Sequence, residues 1–329
     1  MIEPLGLLAG DQIRVEVEAA VCAEPELAAL APFSAAGAGG AVLPGGAAVG
    51  RVTETGAGAS HMAGRRVLVG PLDPCGECER CRRGLPFACA QGRFPGLSTP
   101  GALAGDVVVR ARWVTELAGG LAFNGPTAAL LAREAPDAYA LYARSGLAAG
   151  EPAVVLGRGP VASLLVQIAA ARGARAVAAS AGESGGEAAA AERVMAHAAE
   201  HAAGGRPMKI FAVPGGPDDD DELGLALRLA HPGALITCLA RAGHPHSSAT
   251  AAHFAALLSG GGALVGVPAS HPDLTTEVAA LAVKKEIDLD AVAEVHHVDP
   301  ARPLLDHPAE LAERTRDALT AGRALVVVF

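Results

Sequence analysis

The stretch VVLGRGPVASLLVQIAAARGA, residues 154–174, decides the fold class of this chain. An apolar segment runs into a turn of small residues, and an Ala- and Leu-rich segment of helical character follows. The turn matches the pattern G-x-G-x-x-G/A with Gly157, Arg158, Gly159, Pro160, Val161 and Ala162. Small residues let the backbone approach a pyrophosphate, and the helix N-terminus supplies free N–H groups. The stretch therefore predicts a strand, a tight turn and a helix that bind a dinucleotide; a tight turn without a ligand is the alternative.

The same alternation of strand and helix continues beyond the glycine turn. Strands are expected at 153–157, 174–180, 209–213, 234–240 and 262–267, and helices at 160–172, 186–202, 222–230 and 247–259. Apolar strands joined by helices are typical of a parallel sheet covered on both faces. We therefore expect an α/β fold with a doubly wound parallel sheet over residues 119–270.

Residues 1–118 have a different character, rich in Gly, Pro and Val. Short alternating segments at 14–19, 47–56, 66–70 and 106–114 predict the strands of an all-β region. The final segment, 271–329, holds an expected helix at 308–320 and a closing strand, ALVVVF, at 324–329. A strand after the α/β region predicts that this segment returns to complete the first domain.

Four of the six cysteines lie within fifteen residues, at Cys75, Cys78, Cys81 and Cys89. Four thiolates at this spacing can close a tetrahedron around Zn²⁺ and leave no open coordination position. The pattern therefore predicts a structural zinc lobe at 73–90 rather than a catalytic zinc site. An iron–sulfur cluster and unmetallated cysteines are the alternatives.

The end of the second strand of the parallel sheet predicts which dinucleotide is bound. An Asp or Glu at this position holds the ribose 2′-hydroxyl of NAD, but here the position is Ser180. A serine leaves room for a 2′-phosphate, and Arg158 and Arg175 are the candidate cations. We therefore expect NADP(H), with NAD held through Glu183 as the alternative.

Composition excludes several classes of partner. Lys and Arg number 26 against 35 Asp and Glu, a net charge of −9, which argues against nucleic-acid binding. No apolar run approaches the roughly 20 residues that span a bilayer, so stable membrane insertion is not expected. The first 20 residues show no basic region followed by an apolar one, so we expect a cytoplasmic protein.

Four stretches together resemble the zinc-containing medium-chain dehydrogenase/reductases, which are alcohol dehydrogenase-like enzymes. DPCGECERCRRGLPFAC (73–89) is similar to the family's four-cysteine lobe, and residues 154–174 are similar to the opening of its Rossmann domain. PGGAAVGRVTETGAG (44–58) resembles the segment around the family's GHE motif, and VEAAVCAEPEL (17–27) resembles the segment with its first catalytic ligand. The resemblance covers nearly the whole chain and implies a GroES-like β domain with a structural zinc lobe beside a Rossmann domain.

The resemblance departs from the family at the catalytic zinc. Cys22 stands at the first ligand position, but Gly46 and Ala47 stand where the family has the His and Glu of GHE. The third ligand falls near residues 132–133, where no donor is in register. Because a catalytic Zn²⁺ needs three protein ligands, we expect one structural zinc and no catalytic zinc. The alternative ligands are Glu24, Glu26, Glu134 and a histidine.

Loss of the catalytic zinc changes the expected chemistry, because that ion polarises the oxygen in alcohol oxidation. Zinc-free members of the wider family reduce conjugated C=C bonds, so the resemblance implies hydride transfer from NADPH to a small, apolar, conjugated alkene or polyene. It extends to the reductive cyclases of polycyclic tetramate macrolactam biosynthesis. A zinc-dependent alcohol dehydrogenase with non-standard ligands and a catalytically silent NADP-binding protein are the alternatives. A homo-oligomer, dimer or tetramer, is also expected.

Several further residues have more than one interpretation. Tyr139 and Tyr142 fall where the family lines its cleft, and are either catalytic proton donors or packing residues. Cys22 is a catalytic candidate or an inert remnant, and His244 and His246 hold substrate or lie in a solvated loop. We expect the remaining groups to be structural: His296 and His297 at the surface, Cys238 in the core, and Asp218–Asp221 as helix-capping charge.

Overall fold

The computed structural model describes residues 8–23, 42–117, 123–179, 209–213, 221–240, 249–268, 274–299 and 307–329. Two sheets are present in these ranges, one mostly antiparallel and one wholly parallel. The predicted α/β fold class is thereby confirmed. The expected helix at 186–202 and the end of the strand at 174–180 lie outside the described residues.

The strands are β1 (Gln12–Cys22), β2 (Ala48–Thr55), β3 (Arg66–Val69), β4 (Asp106–Arg110), β5 (Val114–Glu116), β6 (Pro152–Leu156), β7 (Arg175–Ala179), β8 (Lys209–Ala212), β9 (Leu235–Ala240), β10 (Ala263–Pro268), β11 (Ala293–His297) and β12 (Ala324–Val328). The α-helices are α1 (Glu79–Arg82), α2 (Gly125–Leu130), α3 (Glu134–Ser145), α4 (Pro160–Ala171), α5 (Glu222–Leu229), α6 (Ala251–Ser259), α7 (Thr275–Val283) and α8 (Pro308–Thr320). Short 3₁₀ turns span Ala57–Met62, Pro86–Ala88, Ala111–Trp113 and Asp290–Val292.

The first sheet has the strand order β11-β12-β1-β2-β3-β5, and β4 also pairs with β1. The closing strand β12 lies antiparallel against β1, so the end of the chain completes this sheet. Side chains of β1 alternate between two buried clusters, because successive residues of a strand point to opposite faces. One face packs against α8, and the other contacts α2.

The expectation of one strand at 106–114 is wrong. The strand ends at Arg110, a 3₁₀ turn follows at 111–113, and the chain resumes as β5. The two halves pair with different strands, β4 with β1 and β5 with β3. Alternation of apolar residues continues through the turn, and for this reason the pattern alone does not reveal the break.

The second sheet has the order β10-β9-β8-β6-β7, with all pairs parallel. After β6 the chain forms β7, which pairs with one side of β6. The next strand, β8, pairs with the other side of β6. This reversal creates a crevice at the carboxyl ends of β6 and β8, the place where such sheets bind ligands. One hydrophobic cluster links the two sheets through fully buried residues such as Val21, Leu141, Leu164 and Phe211.

Candidate functional site

The four clustered cysteines meet in one compact lobe. Their sulfur atoms all lie within 4.8 Å of one another. The Sγ–Sγ distances are 3.5 Å for Cys78–Cys81 and for Cys75–Cys89, 3.8 Å for Cys78–Cys89 and 4.0 Å for Cys75–Cys81. A tetrahedron with Zn–S bonds of about 2.3 Å has sulfur–sulfur edges of about 3.8 Å. The donor set therefore fits a four-coordinate Zn²⁺, and among the described residues it is the only such group of metal-ligating side chains.

Backbone hydrogen bonds favour the negatively charged thiolate form at two of these cysteines. Hydrogen bonds from the backbone of Glu77 and Cys78 lower the pKa of Cys75 to about 6. Backbone hydrogen bonding at Cys81 likewise lowers the pKa of Cys78. Burial raises the pKa of Cys81 to about 12, so this thiol keeps its proton until a metal displaces it. A metal ion would thus meet a pocket that already favours thiolate at two positions.

A buried carboxylate that sequence reasoning missed fixes the base of the lobe. Asp73 is 3% exposed and accepts a hydrogen bond from Arg93 Nε at 2.8 Å. Arg110 of β4 reaches the same carboxylate at 3.4 Å and the Pro74 carbonyl at 3.1 Å. Through these contacts, Arg110 of the first sheet holds Asp73 and Pro74 at the start of the lobe. No sequence signal marks this pairing, because its members are 20 and 37 residues apart.

The glycine turn has the backbone that the pattern predicts. Gly157 and Gly159 both have positive φ angles, 132° and 89°. A Cβ added at Gly157 would lie 2.1 Å from the carbonyl oxygen of Val213, so only glycine fits between the ends of β6 and β8. Helix α4 starts at Pro160, with Gly159 as its N-cap. The turn therefore presents the unpaired amides of a helix N-terminus at the ligand crevice of the sheet.

The two arginines proposed for a 2′-phosphate are placed differently. Arg158 lies half-buried within the glycine turn. Arg175 begins β7, and its guanidinium donates two hydrogen bonds to the Gly150 carbonyl, at 3.1 and 3.3 Å. It stands about 13 Å from Ala179 at the other end of the strand, given a rise of about 3.3 Å per residue. The structure does not bring Arg175 to the turn, and Ser180 lies outside the described residues.

Cys22 does not face the positions of the missing catalytic ligands. It is fully buried, and its sulfur lies 3.2 Å from Thr315 Oγ1 on α8. Ala47 belongs to the buried cluster on the other face of the sheet. The side chains of Gly46 and Ala47 carry no metal-binding atom, and the Cys22 thiol lies on the face of the sheet opposite to Ala47. Glu24 and Glu26 lie outside the described residues.

Glu134, another alternative ligand, belongs to a buried charged group at the start of α3. It is 0% exposed, and Arg133 Nε donates to its Oε1 at 2.6 Å. Asp137, one turn along α3, is also 0% exposed. Because removing one partner from a buried ion pair costs several kcal/mol, Glu134 is held by its own neighbour rather than offered to a metal.

The two tyrosines pack between α3 and α4. Their ring centroids are 6.1 Å apart, and the Tyr139 hydroxyl accepts a hydrogen bond from Arg172 Nη2 at 3.3 Å. Arg172 follows the last residue of α4, whereas the glycine turn precedes the first. A helix of 12 residues is about 18 Å long, so Tyr139 stands far from the turn. This placement favours the packing interpretation of Tyr139 over proton donation.

The remaining sequence candidates have structural surroundings. Asp221 caps α5 by accepting a hydrogen bond from the Gly224 amide at 2.7 Å, while 218–220 lie outside the described residues. Burial raises the pKa of Cys238 to about 11, which makes it an unreactive thiol. Burial lowers the pKa of the half-buried His296, and His297 is exposed. His244 and His246 lie outside the described residues. Within the described ranges, no helix is both long enough and apolar enough to cross a membrane.

Comparison with known proteins identifies a domain in the first part of the chain. Residues 9–119 match the family described as the alcohol dehydrogenase GroES-like domain. A curated relative, 2-dehydro-3-deoxy-L-galactonate 5-dehydrogenase of Pseudoalteromonas atlantica, is 39% identical over 112 residues, which cover 34% of this chain and 32% of that protein. The chain thus spans about a third of the length of the curated relatives it matches. These findings show a GroES-like domain of the alcohol dehydrogenase type in the first part of the chain.

Solved structures extend the likeness of fold to the whole chain. An alcohol dehydrogenase from Escherichia coli CFT073, complexed with NADH, has a TM-score of 0.74 at 16% identity, covering 99% of this chain and 94% of that one. A zinc-binding dehydrogenase from Sinorhizobium meliloti 1021, bound to NADP, has a TM-score of 0.72 at 18% identity with the same coverage. At this identity the likeness shows the fold, in which both relatives hold a nicotinamide dinucleotide.

Proposed function

We propose that this chain is an NADP(H)-dependent oxidoreductase that delivers hydride to a conjugated C=C bond of a small, apolar substrate. The observation that carries the proposal is the glycine turn at the carboxyl end of β6, where Gly157 packs against the Val213 carbonyl. The bound nicotinamide would supply the hydride. We further propose that residues 1–118 and 271–329 form the substrate domain and that 119–270 bind the nucleotide.

The chain's own groups account for how the nucleotide is bound. Gly157 and Gly159 bring the backbone close to the crevice, and the positive end of the α4 dipole favours a pyrophosphate there. We propose that Arg158, which lies half-buried inside the turn, binds a phosphate on the adenosine ribose. The zinc lobe would hold a structural ion through its four cysteines, which leaves no position open for a substrate.

We propose a conjugated acceptor because of the side chains that occupy the expected catalytic-zinc positions in the first domain. Gly46 and Ala47 have no ligand atoms, and Cys22 contacts Thr315 in the core. We propose that no catalytic zinc binds here and that conjugation, rather than a Lewis acid, disperses the charge that develops on hydride addition. Ring closure after hydride delivery to a polyene, as in reductive cyclisation in natural-product biosynthesis, is one form of this reaction.

Isotope transfer tests the acceptor directly. With NADPH deuterated at C4, we expect deuterium on a product carbon that bears no oxygen, because hydride adds to the end of a conjugated system. The measurement is NMR or mass spectrometry of the product from a panel of conjugated alkenes, enones and polyenes. Cys22→Ala should retain most of the turnover, since its thiol packs against Thr315 and, in this proposal, is not a metal ligand. Deuterium on a carbinol carbon, together with loss of turnover in Cys22→Ala, would contradict the proposal.

Cofactor preference is tested by a pair of arginine variants. We expect Arg158→Ala to weaken NADPH binding by about tenfold, or 1.4 kcal/mol, with little change for NADH. Arg175→Ala is the matched control, because its guanidinium is bonded to Gly150 away from the turn. Fluorescence titration with both nucleotides gives the dissociation constants. Tighter binding of NADH than of NADPH by the unmodified protein would refute NADP(H) preference, as would Ser180→Asp leaving that preference unchanged.

A second candidate function is the oxidation of a secondary alcohol. The 39% identical relative is named as a dehydrogenase of a sugar acid, and its match covers 34% of this chain. If this oxidation used a catalytic zinc, its ligands would have to come together when the cleft closes on the substrate. The deuterium experiment separates the two functions, because alcohol chemistry places the label on a carbinol carbon. A protein that binds NADPH and labels no substrate at all would fit the third alternative, a catalytically silent protein.

A further inference from the structure

A groove of about 430 Å³ lies beside helices α2 and α7, and no step of the proposed reaction uses it. One wall is formed by residues 123–127, where α2 begins and packs against the first sheet. The other wall is formed by residues 282–290, at the end of α7 and beyond it. Pockets of about 300–1,000 Å³ hold small molecules in proteins. We call this feature the α2–α7 groove, and its volume makes it a candidate ligand site.

The α2–α7 groove is separate from the glycine turn. The main chain of Asp288, a groove residue, binds the side chain of Gln167 on α4. The Asp288 amide donates to Gln167 Oε1 at 2.6 Å, and Gln167 Nε2 donates to the Asp288 carbonyl at 3.3 Å. Because Gln167 lies two turns beyond Pro160, about 10 Å of helix separate this contact from the start of α4. A ligand in the groove would therefore leave the proposed nucleotide site open.

Lys285 brings an unpaired positive charge to the groove. Its ammonium forms no hydrogen bond or ion pair in the part of the chain that the structure describes. The residue lies just beyond the end of α7 and has φ of 58°, a left-handed angle at which glycine is the usual residue. A lysine at this position therefore supplies a charge to the groove at a cost in backbone strain.

The carboxylates of Asp288 and Asp290 line the same groove. Asp288 Oδ1 accepts a hydrogen bond from the Ala291 amide at 3.1 Å, and Asp290 Oδ1 accepts one from Thr127 Oγ1 at 3.4 Å. Among the described residues, the second oxygen of each carboxylate has no partner, and neither carboxylate pairs with Lys285. The groove thus presents one positive and two negative charges that do not neutralise one another.

We propose that the α2–α7 groove binds an α-amino acid with an apolar side chain. The carboxylate of the ligand pairs with Lys285, and its ammonium pairs with Asp288 and Asp290, so that each ligand charge meets the opposite sign. The apolar side chain of the ligand lies on the apolar part of the lining, which comprises Phe123, Ala282, Ile287 and Leu289. This site is independent of the reaction proposed above, because it does not overlap the glycine turn.

The charges of the groove favour a zwitterion over other small ligands. A simple anion would pair with Lys285 but would also meet two like charges, and a simple amine would leave Lys285 unpaired. A metal ion is not favoured, because the only group of three or more metal-ligating side chains among the described residues is the cysteine lobe. A ligand that carries both charges on a short apolar body satisfies both kinds of group at once.

Ligand analogues that lack one charge test this assignment in the full-length protein. We expect at least one of L-leucine, L-methionine and L-phenylalanine to bind saturably in isothermal titration calorimetry. The matching carboxylic acid without the ammonium, and the matching amine without the carboxylate, should each bind at least about tenfold more weakly, because each leaves groove charges unpaired. Saturating NADPH should not displace the amino acid, since the nucleotide site lies elsewhere.

A pair of lysine variants locates the site. Lys285→Gln should weaken amino-acid binding at least about tenfold, whereas Lys284→Gln, at an exposed neighbour outside the groove, should leave it unchanged. Lys285→Gly also removes the ammonium but suits the left-handed backbone, so weaker binding with a raised melting temperature shows that misfolding is not the cause.

Three results would overturn the proposal. The first is the absence of saturable binding of all three amino acids by the unmodified protein. The second is displacement of the bound amino acid by NADPH, which would place it at the nucleotide site. The third is an equal effect of the Lys284→Gln and Lys285→Gln variants on the dissociation constant.

Discussion

Gly157→Ala should lower the stability of the protein by about 3 kcal/mol and weaken NADPH binding at least tenfold. The backbone at this position has φ of 132°, a region that residues with a Cβ rarely adopt. The added methyl would also lie 2.1 Å from the Val213 carbonyl oxygen. That oxygen belongs to the main chain directly after β8, so relief requires the ends of β6 and β8 to separate. The same movement distorts the turn that receives the pyrophosphate.

Gly146→Ala is the matched control for the Gly157 variant. Gly146 ends α3 with φ of 62°, and a Cβ there meets no atom within 4 Å. It therefore has the unfavourable backbone angle without the collision, and we expect a loss of about 1 kcal/mol with unchanged NADPH affinity. Thermal unfolding and fluorescence titration compare the two variants. Equal losses in both, or NADPH affinity retained by Gly157→Ala, would show that contact with Val213 does not shape a nucleotide site.

The glycine turn and the cysteine lobe were predictable because each is local in sequence. The turn lies within residues 157–162, and the four ligands lie within 75–89, so their chemistry requires only short-range geometry. The strand, turn and helix at 154–171 follow from apolar pattern and from Pro160 at the first helical position. The positive φ angles at Gly157 and Gly159 agree with this reasoning.

Features that depend on which face of a strand a residue occupies were not predictable. Cys22 ends β1 and Ala47 directly precedes the neighbouring strand β2, but their side chains enter different buried clusters. A strand register that differs by one residue exchanges the two faces, and no local pattern settles it. Helices α2, α3 and α7 were also missed. Helix α3 is difficult to recognise because it buries Glu134 and Asp137, residues that normally indicate a solvated face.

Tyr139 shows a further limit of reasoning from resemblance. Its place in the chain suggests a cleft, but its hydroxyl bonds to Arg172 at the far end of α4. The direction of a side chain on a helix depends on the rotation of that helix about its axis, which is fixed by packing between α3 and α4. Such packing depends on residues about 30 positions apart, such as Tyr139 and Arg172. The sequence therefore identifies Tyr139 as a candidate but does not predict the direction of its side chain.

Cys81→Ser should release a structural zinc and unfold the lobe. We expect the unmodified protein to contain one zinc per chain, since four of the six Sγ–Sγ distances are 3.5–4.0 Å and all four sulfurs lie within 4.8 Å of one another. Binding of structural Zn²⁺ contributes about 10–16 kcal/mol in small zinc-binding peptides, far more than this lobe gains from its own short helix α1. Without the ion, residues 75–89 should therefore lose their fixed structure.

Elemental analysis and limited trypsin digestion together measure this loss. Zinc in the Cys81→Ser protein should fall to about zero after dialysis against a chelator. Cleavage after Arg80, Arg82 and Arg83 should accelerate at least about tenfold, because proteolysis follows the population of the locally open state. Arg80 is a sensitive site, since its guanidinium bonds to the Ala88 carbonyl at 2.7 Å only in the folded lobe.

Cys238→Ser is the control for the zinc experiment, because this thiol lies on β9 outside the cluster. It should retain one zinc and the slow trypsin cleavage of the unmodified protein. Two zinc ions in the unmodified protein would instead indicate a catalytic ion, and would favour the alcohol dehydrogenase alternative. Zinc retained after all four lobe cysteines are replaced by serine would exclude the lobe as the site. The zinc-free Cys81→Ser variant could also resist trypsin to the same extent as the unmodified protein. That result would show that Asp73, Arg93 and Arg110 hold the lobe without the ion.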